Sequence, residues 1–299
     1  MTALAALLAA VSLASVAVAE PLGGPAIEIL SFNIRYDNPG DGEHAWSRRR
    51  DLVVETIRDG RADFIGLQEA LPHQQREIVE ALAAPRGDEP SYAVIGRTRE
   101  VSAEHGEANP LLHRTDRWER LDGGTFWLST TPEVPGSRDW KSACPRIATW
   151  GRFKRRSGDP ADELLVVNTH FDHASAEARR EGAKVLAAFL ARTRAAHPSI
   201  AVIVMGDLNA PPDDASVATL LAANLVDTHR AAGGDERFGT FHAFKGRDAA
   251  EGRSRIDFIL ADRTFDVVAA SIDRREPDGR PPSDHHPVRA TLRPHANEP

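Results

Sequence analysis

The sequence has a single cysteine, Cys144, among 299 residues. A disulfide bond within the chain needs a second cysteine, as does a redox pair or a cysteine metal cluster, so the sequence excludes all three. Stability must therefore come from a hydrophobic core, which a chain of this length can build as one sizeable domain or two small ones. Because the sequence contains neither an internal repeat nor a low-complexity linker, we expect one domain over residues 20–299.

The sequence also lacks an excess of positive charge and is poor in aromatic residues. It has 37 Lys and Arg residues against 44 Asp and Glu residues, a formal net charge of -7, and 6% aromatic residues. Tight non-specific binding to a nucleic-acid backbone usually requires a broad basic face, so a dedicated duplex-DNA scaffold protein is disfavoured. Trp46, Trp127 and Trp150 could stack a nucleobase, but large aromatic residues in predicted strands favour a place in the core.

Long hydrophobic runs are missing beyond the first segment of the chain. Residues 4–18 are apolar and lead into Ala17-Val18-Ala19, the small-x-small pattern that signal peptidases cut. No positive charge precedes this segment, so an N-terminal anchor or a misassigned start codon remains an alternative, but we interpret residues 1–19 as a signal peptide. The segment is too short for a comfortable membrane span, and no later run is long enough. We therefore expect an exported protein, periplasmic or secreted, without stable membrane insertion.

Hydrophobic patterning predicts two halves with a similar order of elements. The predicted strands are residues 26–35, 63–68, 111–114, 118–121, 125–128, 146–153, 164–171, 200–205, 256–260, 265–272 and 287–292. The predicted helices are residues 47–58, capped by Ser47, and residues 72–84, 175–196 and 216–223. This order predicts an α/β fold, a four-layer sandwich of two mixed β-sheets packed face to face with helices on the outer faces. The long, turn-rich stretches 96–109, 130–145 and 228–253 are candidates for the walls of a substrate site.

Polar residues are found where the hydrophobic runs stop. There are six such motifs: Ser31-Phe32-Asn33, Leu67-Gln68-Glu69, Asn168-Thr169-His170, Gly206-Asp207-Leu208-Asn209, Arg255-Ile256-Asp257 and Ser283-Asp284-His285-His286. Taken singly, an acid after a strand is more often a helix cap or a solvated turn residue. Together they favour one pocket of carboxylates, amides and imidazoles, whose oxygen ligands suit Mg2+ or Mn2+ better than Zn2+.

The motif that follows residues 200–205 carries a specific signal. Asp207 and Asn209 leave a strongly apolar strand two positions apart, so both side chains lie on the same side of it. The alternative is a plain turn in which Asp207 caps a neighbouring backbone amide.

The motif before the last strand is the other specific signal. Asp284 beside His285 lets one group hold a metal while the other handles a proton, although two exposed histidines at a strand start are the alternative. Asp257 is placed to accept the ring N–H of His285, with a salt bridge to Arg255 as the alternative. His170 could donate to an oxyanion, but a lone histidine after a strand is more often structural.

These motifs, taken in order, resemble the endonuclease/exonuclease/phosphatase superfamily, which includes type I deoxyribonuclease, the exonuclease III class, inositol polyphosphate 5-phosphatases, neutral sphingomyelinases and deadenylase-like enzymes. The matching residues run from Ser31 to Pro287. Residues 124–129 and 145–150 are similar to a bacterial branch related to the deadenylase-like enzymes. The resemblance implies a single catalytic domain over residues 20–299 and a metal-dependent hydrolase acting on phosphate ester bonds.

The resemblance also implies roles for the acids and amides. Asn33 and Glu69 would bind the catalytic Mg2+ or Mn2+, with Asp284 completing or supporting that site. Asp207 would orient or deprotonate the attacking water. Asn209 would hold a non-bridging phosphate oxygen.

Further roles are implied for the basic residues. His285, paired with Asp257, would act as the acid/base or as a hydrogen-bond donor in the transition state. His170 would contact the scissile phosphate. Arg146 lies where a phosphate-contacting arginine occurs, and an ion pair at the start of a strand is its alternative.

The expected partner is a phosphate-ester substrate: a small molecule, a nucleotide, a lipid head group or a nucleic acid. We expect a phosphodiester or phosphomonoester to be hydrolysed by in-line attack of water, without an obligate protein partner. A secreted nuclease acting on DNA or RNA is an alternative. A catalytically inactive phosphate-ligand binding module on the same fold is an alternative of another class, against which the presence of Glu69, Asp207 and His285 argues.

Overall fold

The computed structural model describes residues 24–83, 87–157 and 163–295. The predicted signal peptide, residues 1–19, lies outside the described residues. The chain begins with β1 (Ile27–Asn33), α1 (Trp46–Gly60), β2 (Phe64–Gln68), α2 (Pro72–Leu82), β3 (Tyr92–Ile95) and β4 (Leu111–Arg114). It continues with β5 (Trp118–Trp127), β6 (Ile147–Arg155), β7 (Glu163–His170), α3 (Ala176–Ala196), β8 (Ala201–Asp207) and α4 (Ala215–Leu221). It ends with β9 (Leu225–Asp227), α5 (Thr228–Ala231), β10 (Asp257–Asp262), β11 (Phe265–Ile272) and β12 (Val288–Pro294).

The strands form two six-stranded mixed sheets. The first has the order β11-β12-β1-β2-β4-β3 and the second the order β5-β6-β7-β8-β10-β9. One parallel pair lies at the centre of each sheet, β1 with β2 and β7 with β8, and antiparallel strands flank it. Together with the outer helices, this arrangement confirms the predicted four-layer α/β sandwich.

The core lies in three apolar layers that explain why the central strands are apolar along their whole length. Successive side chains of a strand point to opposite faces of its sheet. Ile29 of β1 therefore packs between the two sheets, while the next residue, Leu30, packs with residues of α1 and α2. In the second sheet Val166 faces the first sheet, and Val167 packs with Leu186 of α3. Both faces of these strands are covered, so neither needs polar residues.

Two details of the predicted elements are wrong. Helix α1 begins at Trp46 with Ala45 as its N-cap residue, so Ser47 lies inside the first turn and does not cap it. Residues 118–121 and 125–127 belong to one continuous strand, because Gly123 and Gly124 between them stay paired with β6, and the strand ends one residue before the predicted end. Strands β3 and β9 and the short helix α5 are not among the predicted elements.

The parallel pairs bring four of the six motifs to one edge of the sandwich. The carboxyl ends of β1 and β2 lie side by side, and so do those of β7 and β8. Strand β10 starts at the same edge, since Asp257 pairs with Asp207 in the antiparallel register. A buried hydrogen bond of 2.7 Å from Gln68 Nε2 to Asn168 Oδ1 links the two sheets there. Within the described residues, no helix combines the length and the apolar composition that a membrane crossing requires.

Candidate active site

A cavity of about 500 Å³ opens at this edge of the sandwich. Its lining includes the three carboxylates of Glu69, Asp207 and Asp284, which come from three separate strand ends or loops. Each of the three long stretches predicted as substrate walls also contributes, and their lining residues include Arg99, Cys144 and Phe241. Contact of these walls with a substrate stays a prediction.

The backbone of the site departs from relaxed geometry at two of its functional positions. Glu69 has a φ of 62° and Asn209 a φ of 47°, in the left-handed region that non-glycine residues seldom occupy. Such conformations persist only where the surrounding structure enforces them, and they cluster at functional sites. At Gly206, φ is 146° and a Cβ would lie 1.9 Å from the carbonyl oxygen of Thr169. Glycine is therefore required where β8 passes β7 just before Asp207.

Asp207 is buried and its two carboxylate oxygens have different partners. Oδ1 accepts a 2.8 Å hydrogen bond from the backbone N–H of Asn209, and Oδ2 accepts one of 3.0 Å from Asn33 Nδ2. Burial, and then the negative charge of Asp257, raise the pKa of Asp207 to about 7. A carboxylate with its pKa near neutrality is suited to taking a proton from water.

His285 forms a buried pair with Asp257. Its ring Nδ1 lies 2.9 Å from Oδ2 of Asp257, and its Nε2 lies 3.8 Å from Oδ2 of Asp207. Burial alone would lower the pKa of His285, but the charge of Asp257 and its hydrogen bond outweigh burial and raise that pKa to about 10. Asp257 does not form the alternative salt bridge, because Arg255 binds Asp227 at 2.6 Å instead. The pair can therefore present a charged imidazole N–H to the cavity.

His170 and Asn209 lie in contact beside Asp207. Asn209 Nδ2 donates to His170 Nε2 at 2.9 Å and to the carbonyl oxygen of Phe171 at 3.0 Å. Burial, followed by the positive charge of Arg146, lowers the pKa of His170 well below its usual value. The ring is thus neutral with its proton on Nδ1, a buried atom for which the described residues provide no partner. An unpaired donor of this kind suits an anionic oxygen.

The predicted metal ligands converge, and the donor set fits a hard divalent cation. Glu69 and Asp284 both line the cavity, and burial, and then the negative charge of Glu69, raise the pKa of Asp284. A divalent cation would relieve that repulsion, and carboxylate oxygens are the ligands that Mg2+ and Mn2+ prefer. Asn33 donates its amide N–H to Glu69 Oε1 at 3.0 Å, and its oxygen accepts from the N–H of Arg35 at 3.0 Å. In this arrangement Asn33 holds Glu69 in place, and its role as a ligand stays a prediction.

A second group of ligand atoms lies deeper in the site. Asp207, Asp257 and His285 each place one such atom within 4.8 Å of the others. Because Asp257 and His285 already bind each other through Oδ2 and Nδ1, this group is better suited to proton handling than to metal binding.

Arg146 contributes a guanidinium group to the lining of the cavity. Its Nε lies 3.3 Å from Oδ2 of Asp172, and its Nη2 donates to His173 Nδ1 at 2.7 Å. The third nitrogen, Nη1, is buried and finds no partner among the described residues. The ion pair foreseen as an alternative is present, and it leaves one donor available for a substrate oxygen.

Several residues of the site carry no recognisable signal in the sequence. Arg35 lines the cavity and places Nε 3.9 Å from Asp284 Oδ2. Arg49 of α1 is buried and donates to the carbonyl oxygens of Ile34, Arg35 and Pro282, so it ties the turn after β1 to the segment before Asp284. On a helix rich in charged residues, the sequence alone does not distinguish a buried arginine such as Arg49 from a solvated one. For Arg35, the only indication of a place in the site is its position two residues after Asn33.

Comparison with known proteins agrees with this geometry. A model of the Endonuclease/Exonuclease/phosphatase family matches residues 30–285. No curated protein matches the chain at a significant level. An endonuclease/exonuclease/phosphatase family protein from Bacteroides thetaiotaomicron has a similar structure, with a TM-score of 0.81 and 29% sequence identity over 92% of this chain and 97% of that one.

Two other solved structures extend the comparison. A mannosyl-6-phosphatase from Bacteroides thetaiotaomicron has a TM-score of 0.78 and 30% sequence identity, covering 89% of this chain and 99% of that one. The catalytic domain of human Nocturnin has a TM-score of 0.67 and 18% identity, covering 90% of this chain and 93% of that one. The similarity to Nocturnin shows a common fold alone.

Proposed function

Because the chain belongs to the endonuclease/exonuclease/phosphatase family, whose members are hydrolases that act on phosphate esters, we propose that it is an exported phosphoesterase that depends on Mg2+ or Mn2+. The observation that carries the proposal is the convergence of polar side chains from six distant segments on one cavity. Export is proposed from the signal-peptide pattern of residues 1–19.

The side chains divide the work of in-line hydrolysis. Asp207 orients the attacking water and takes its proton. His170 and Arg146, each with one unpaired N–H, would donate hydrogen bonds to the non-bridging oxygens, where negative charge increases in the transition state. The two N–H groups of Asn209 bind His170 and the Phe171 carbonyl oxygen and so orient the His170 ring, and contact of Asn209 with a phosphate oxygen stays a prediction. Glu69 and Asp284, with Asn33 beside them, would hold the divalent cation, which would supply further charge cancellation on the phosphate.

His285 acts on the leaving oxygen. Since Asp257 holds the Nδ1 proton, the free Nε2–H can donate to the ester oxygen as its bond to phosphorus breaks. With water as the nucleophile, no residue of the chain needs to form a covalent bond to phosphorus.

The similarity to the mannosyl-6-phosphatase supports a phosphomonoester as the substrate. That protein is 30% identical to this chain, and 99% of its length is covered. Phosphodiester hydrolysis, including nuclease activity, is the second candidate within the same site chemistry. An inactive binding module is disfavoured, because the acid, amide and imidazole groups that water attack requires are all in place.

The test is a substrate panel with the purified mature protein and Mn2+. We expect release of p-nitrophenol from p-nitrophenyl phosphate to exceed that from bis-p-nitrophenyl phosphate. Plasmid DNA, RNA, nucleotides and sphingomyelin complete the panel. Absence of turnover with every member, at several Mn2+ and Mg2+ concentrations, would reject the proposed function, and preferred cleavage of DNA or RNA would favour the nuclease.

A further inference from the structure

One wall of the cavity is formed by an ion pair that has no role in the proposed hydrolysis. Both terminal nitrogens of Arg99 donate to the carboxylate of Glu107, each at 2.7 Å, and both side chains line the cavity. The two side chains are 17% and 16% exposed, so they are largely withdrawn from bulk solvent. A bidentate contact of this kind fixes the orientation of both groups.

The pair is held at a fixed position relative to the predicted metal ligand. An isolated antiparallel bridge joins Ala70 to Ala108, with N–H···O distances of 2.8 and 3.2 Å. Glu69 and Glu107 are the residues directly before these two bridge partners. Arg99 is braced separately, because its N–H donates to the carbonyl oxygen of Glu107 at 2.9 Å and its own carbonyl oxygen accepts from the Trp127 indole at 2.7 Å. The wall is therefore a rigid part of the site.

The charge of this wall argues against a second phosphate group as its ligand. Glu107 neutralises Arg99, so the pair offers no net positive charge to an anion. It does offer guanidinium N–H donors and carboxylate acceptors next to each other. Neighbouring hydroxyl groups, each of which both donates and accepts, match such a surface.

The aromatic residues argue against a nucleobase in the same place. The three tryptophans considered for base stacking have other contacts: Trp46 donates to Glu77 at 2.9 Å, Trp127 donates to the Arg99 carbonyl oxygen, and Trp150 packs against Phe189. Among the described residues that line the cavity, Tyr36 and Phe241 have phenyl rings. The Arg35 guanidinium covers one face of Tyr36 at 4.6 Å, and Phe241 lies against His285 with 4.9 Å between ring centroids. Neither ring therefore has both of its faces free for a base.

We infer that Arg99 and Glu107 bind the hydroxyl groups of the leaving group, and that the enzyme therefore prefers a phosphorylated sugar or polyol monoester to nucleotides and diesters. The inference rests on the proposed function. In the reaction, the water oxygen bonds to phosphorus, the bond from phosphorus to the sugar oxygen breaks, and the proton released from water is balanced by the one that the sugar oxygen gains. The products are the free sugar and inorganic phosphate.

The test compares two classes of monoester, sugar phosphates and an aryl phosphate, on variants of Glu107. Glu107→Gln keeps the size of the side chain but removes the carboxylate, and we expect kcat/KM for mannose 6-phosphate and glucose 6-phosphate to fall about 10- to 100-fold. The loss for p-nitrophenyl phosphate, which has no hydroxyl groups, should be at least about 10-fold smaller, and an unchanged melting temperature shows that the variant is folded. Glu104→Gln, at an exposed position of the same loop, is the matched control and should change neither substrate.

The outcomes separate the inference from the proposed function. Wild-type protein that is inactive on every phosphate ester would reject the proposed function. Wild-type protein that hydrolyses p-nitrophenyl phosphate but prefers nucleotides or diesters to sugar phosphates would overturn the inference alone. An equal loss for both classes of monoester in a variant with the wild-type melting temperature, or no loss for either, would also overturn it. Glu107→Asp serves as the second variant, with the same selective loss expected.

Discussion

The ring Nδ1 of His285 and Oδ2 of Asp257 lie 2.9 Å apart in a buried setting, and an exposed histidine–aspartate contact of the same length joins Nε2 of His295 to Oδ1 of Asp266. The two pairs share their chemistry but differ in burial. In the buried pair, the attraction to Asp257 is stronger than the cost of burial, and the pKa of His285 rises to about 10. The buried pair therefore keeps its proton at neutral pH, and the exposed pair provides a natural control.

We expect His285→Ala to lower kcat by about two to four orders of magnitude, because the leaving oxygen loses its proton donor. Asp257→Asn should lower kcat by about 10- to 100-fold, since the ring is then less well oriented and less charged. Steady-state kinetics with p-nitrophenyl phosphate measure both effects. His295→Ala and Asp266→Asn should leave the rate unchanged. Wild-type turnover by His285→Ala would remove this residue from the mechanism.

Removal of divalent cations should abolish activity. Excess EDTA is expected to stop hydrolysis of p-nitrophenyl phosphate, and Mn2+ or Mg2+ should restore it, because the carboxylates of Glu69 and Asp284 need a cation to act on a phosphate. Glu69→Gln should raise the Mn2+ concentration required for half-maximal activity by about 10-fold or more. Glu80→Gln, at an exposed position on α2, is the control and should show the wild-type requirement. Full activity in EDTA would contradict the metal role.

Gly206→Ala should destabilise the protein by at least about 2 kcal/mol, because the new methyl group would collide with the carbonyl oxygen of Thr169. Gly252 also has a positive φ, 72°, but open space around the position of a Cβ. Gly252→Ala should therefore cost about 1 kcal/mol, from backbone strain alone. Urea unfolding measures both. Equal losses for the two variants would show that the close approach of β7 and β8 at Gly206 is unimportant.

The contribution of His113 to the stability of the fold should decrease as the pH falls from about 6.5 to about 4. Burial, followed by the positive charges of Arg120 and Arg156, lowers the pKa of His113 from 6.5 to about 4. Above pH 6.5 the ring is neutral in both states; below it the unfolded chain takes up the proton first, so the stabilising contribution of neutral His113 is lost.

His113→Phe tests this contribution, because it keeps a ring in the contact with Phe153, where the centroids are 4.8 Å apart. The variant should lose less free energy of unfolding than the wild type between pH about 7.5 and about 5. His105→Gln, at an exposed position, should behave as the wild type does. A variant as sensitive to acid as the wild type would show that His113 is protonated in the folded state as well.

The sequence predicts the fold and the centre of the site because both depend on short-range patterns. An apolar run such as residues 200–205 can only be a buried strand, and Asp207 and Asn209 follow it directly. Parallel neighbours end at the same edge of a sheet, so the motifs after β1, β2, β7 and β8 meet there. Element ends are less certain: the hydroxyl of Ser47 resembles a cap, yet the helix starts one residue before it.

The cavity wall formed by Arg99 and Glu107 could not be predicted in the same way. The position of Glu107 depends on a two-residue bridge between Ala70 and Ala108, which no periodicity in a turn-rich segment announces. Glu107 and Arg99, which form the bidentate contact, lie eight residues apart in a loop. From the sequence alone, each would be predicted to be a solvated charged residue. Such a site depends on where a loop folds back, which is decided by contacts between residues far apart in the sequence.

The hydrogen bond from Gln68 to Asn168 runs from sheet to sheet directly behind the cavity. Close packing of the apolar side chains already resists sliding of the two sheets, and the buried N–H of Gln68 reaches the Asn168 oxygen at one lateral offset only. Glu69 comes one residue after Gln68 and His170 two residues after Asn168, so that offset sets how the two halves of the catalytic surface are aligned. With leucine at both amide positions the protein would still fold. The half that carries Glu69 and the half that carries His170 would then be displaced relative to each other.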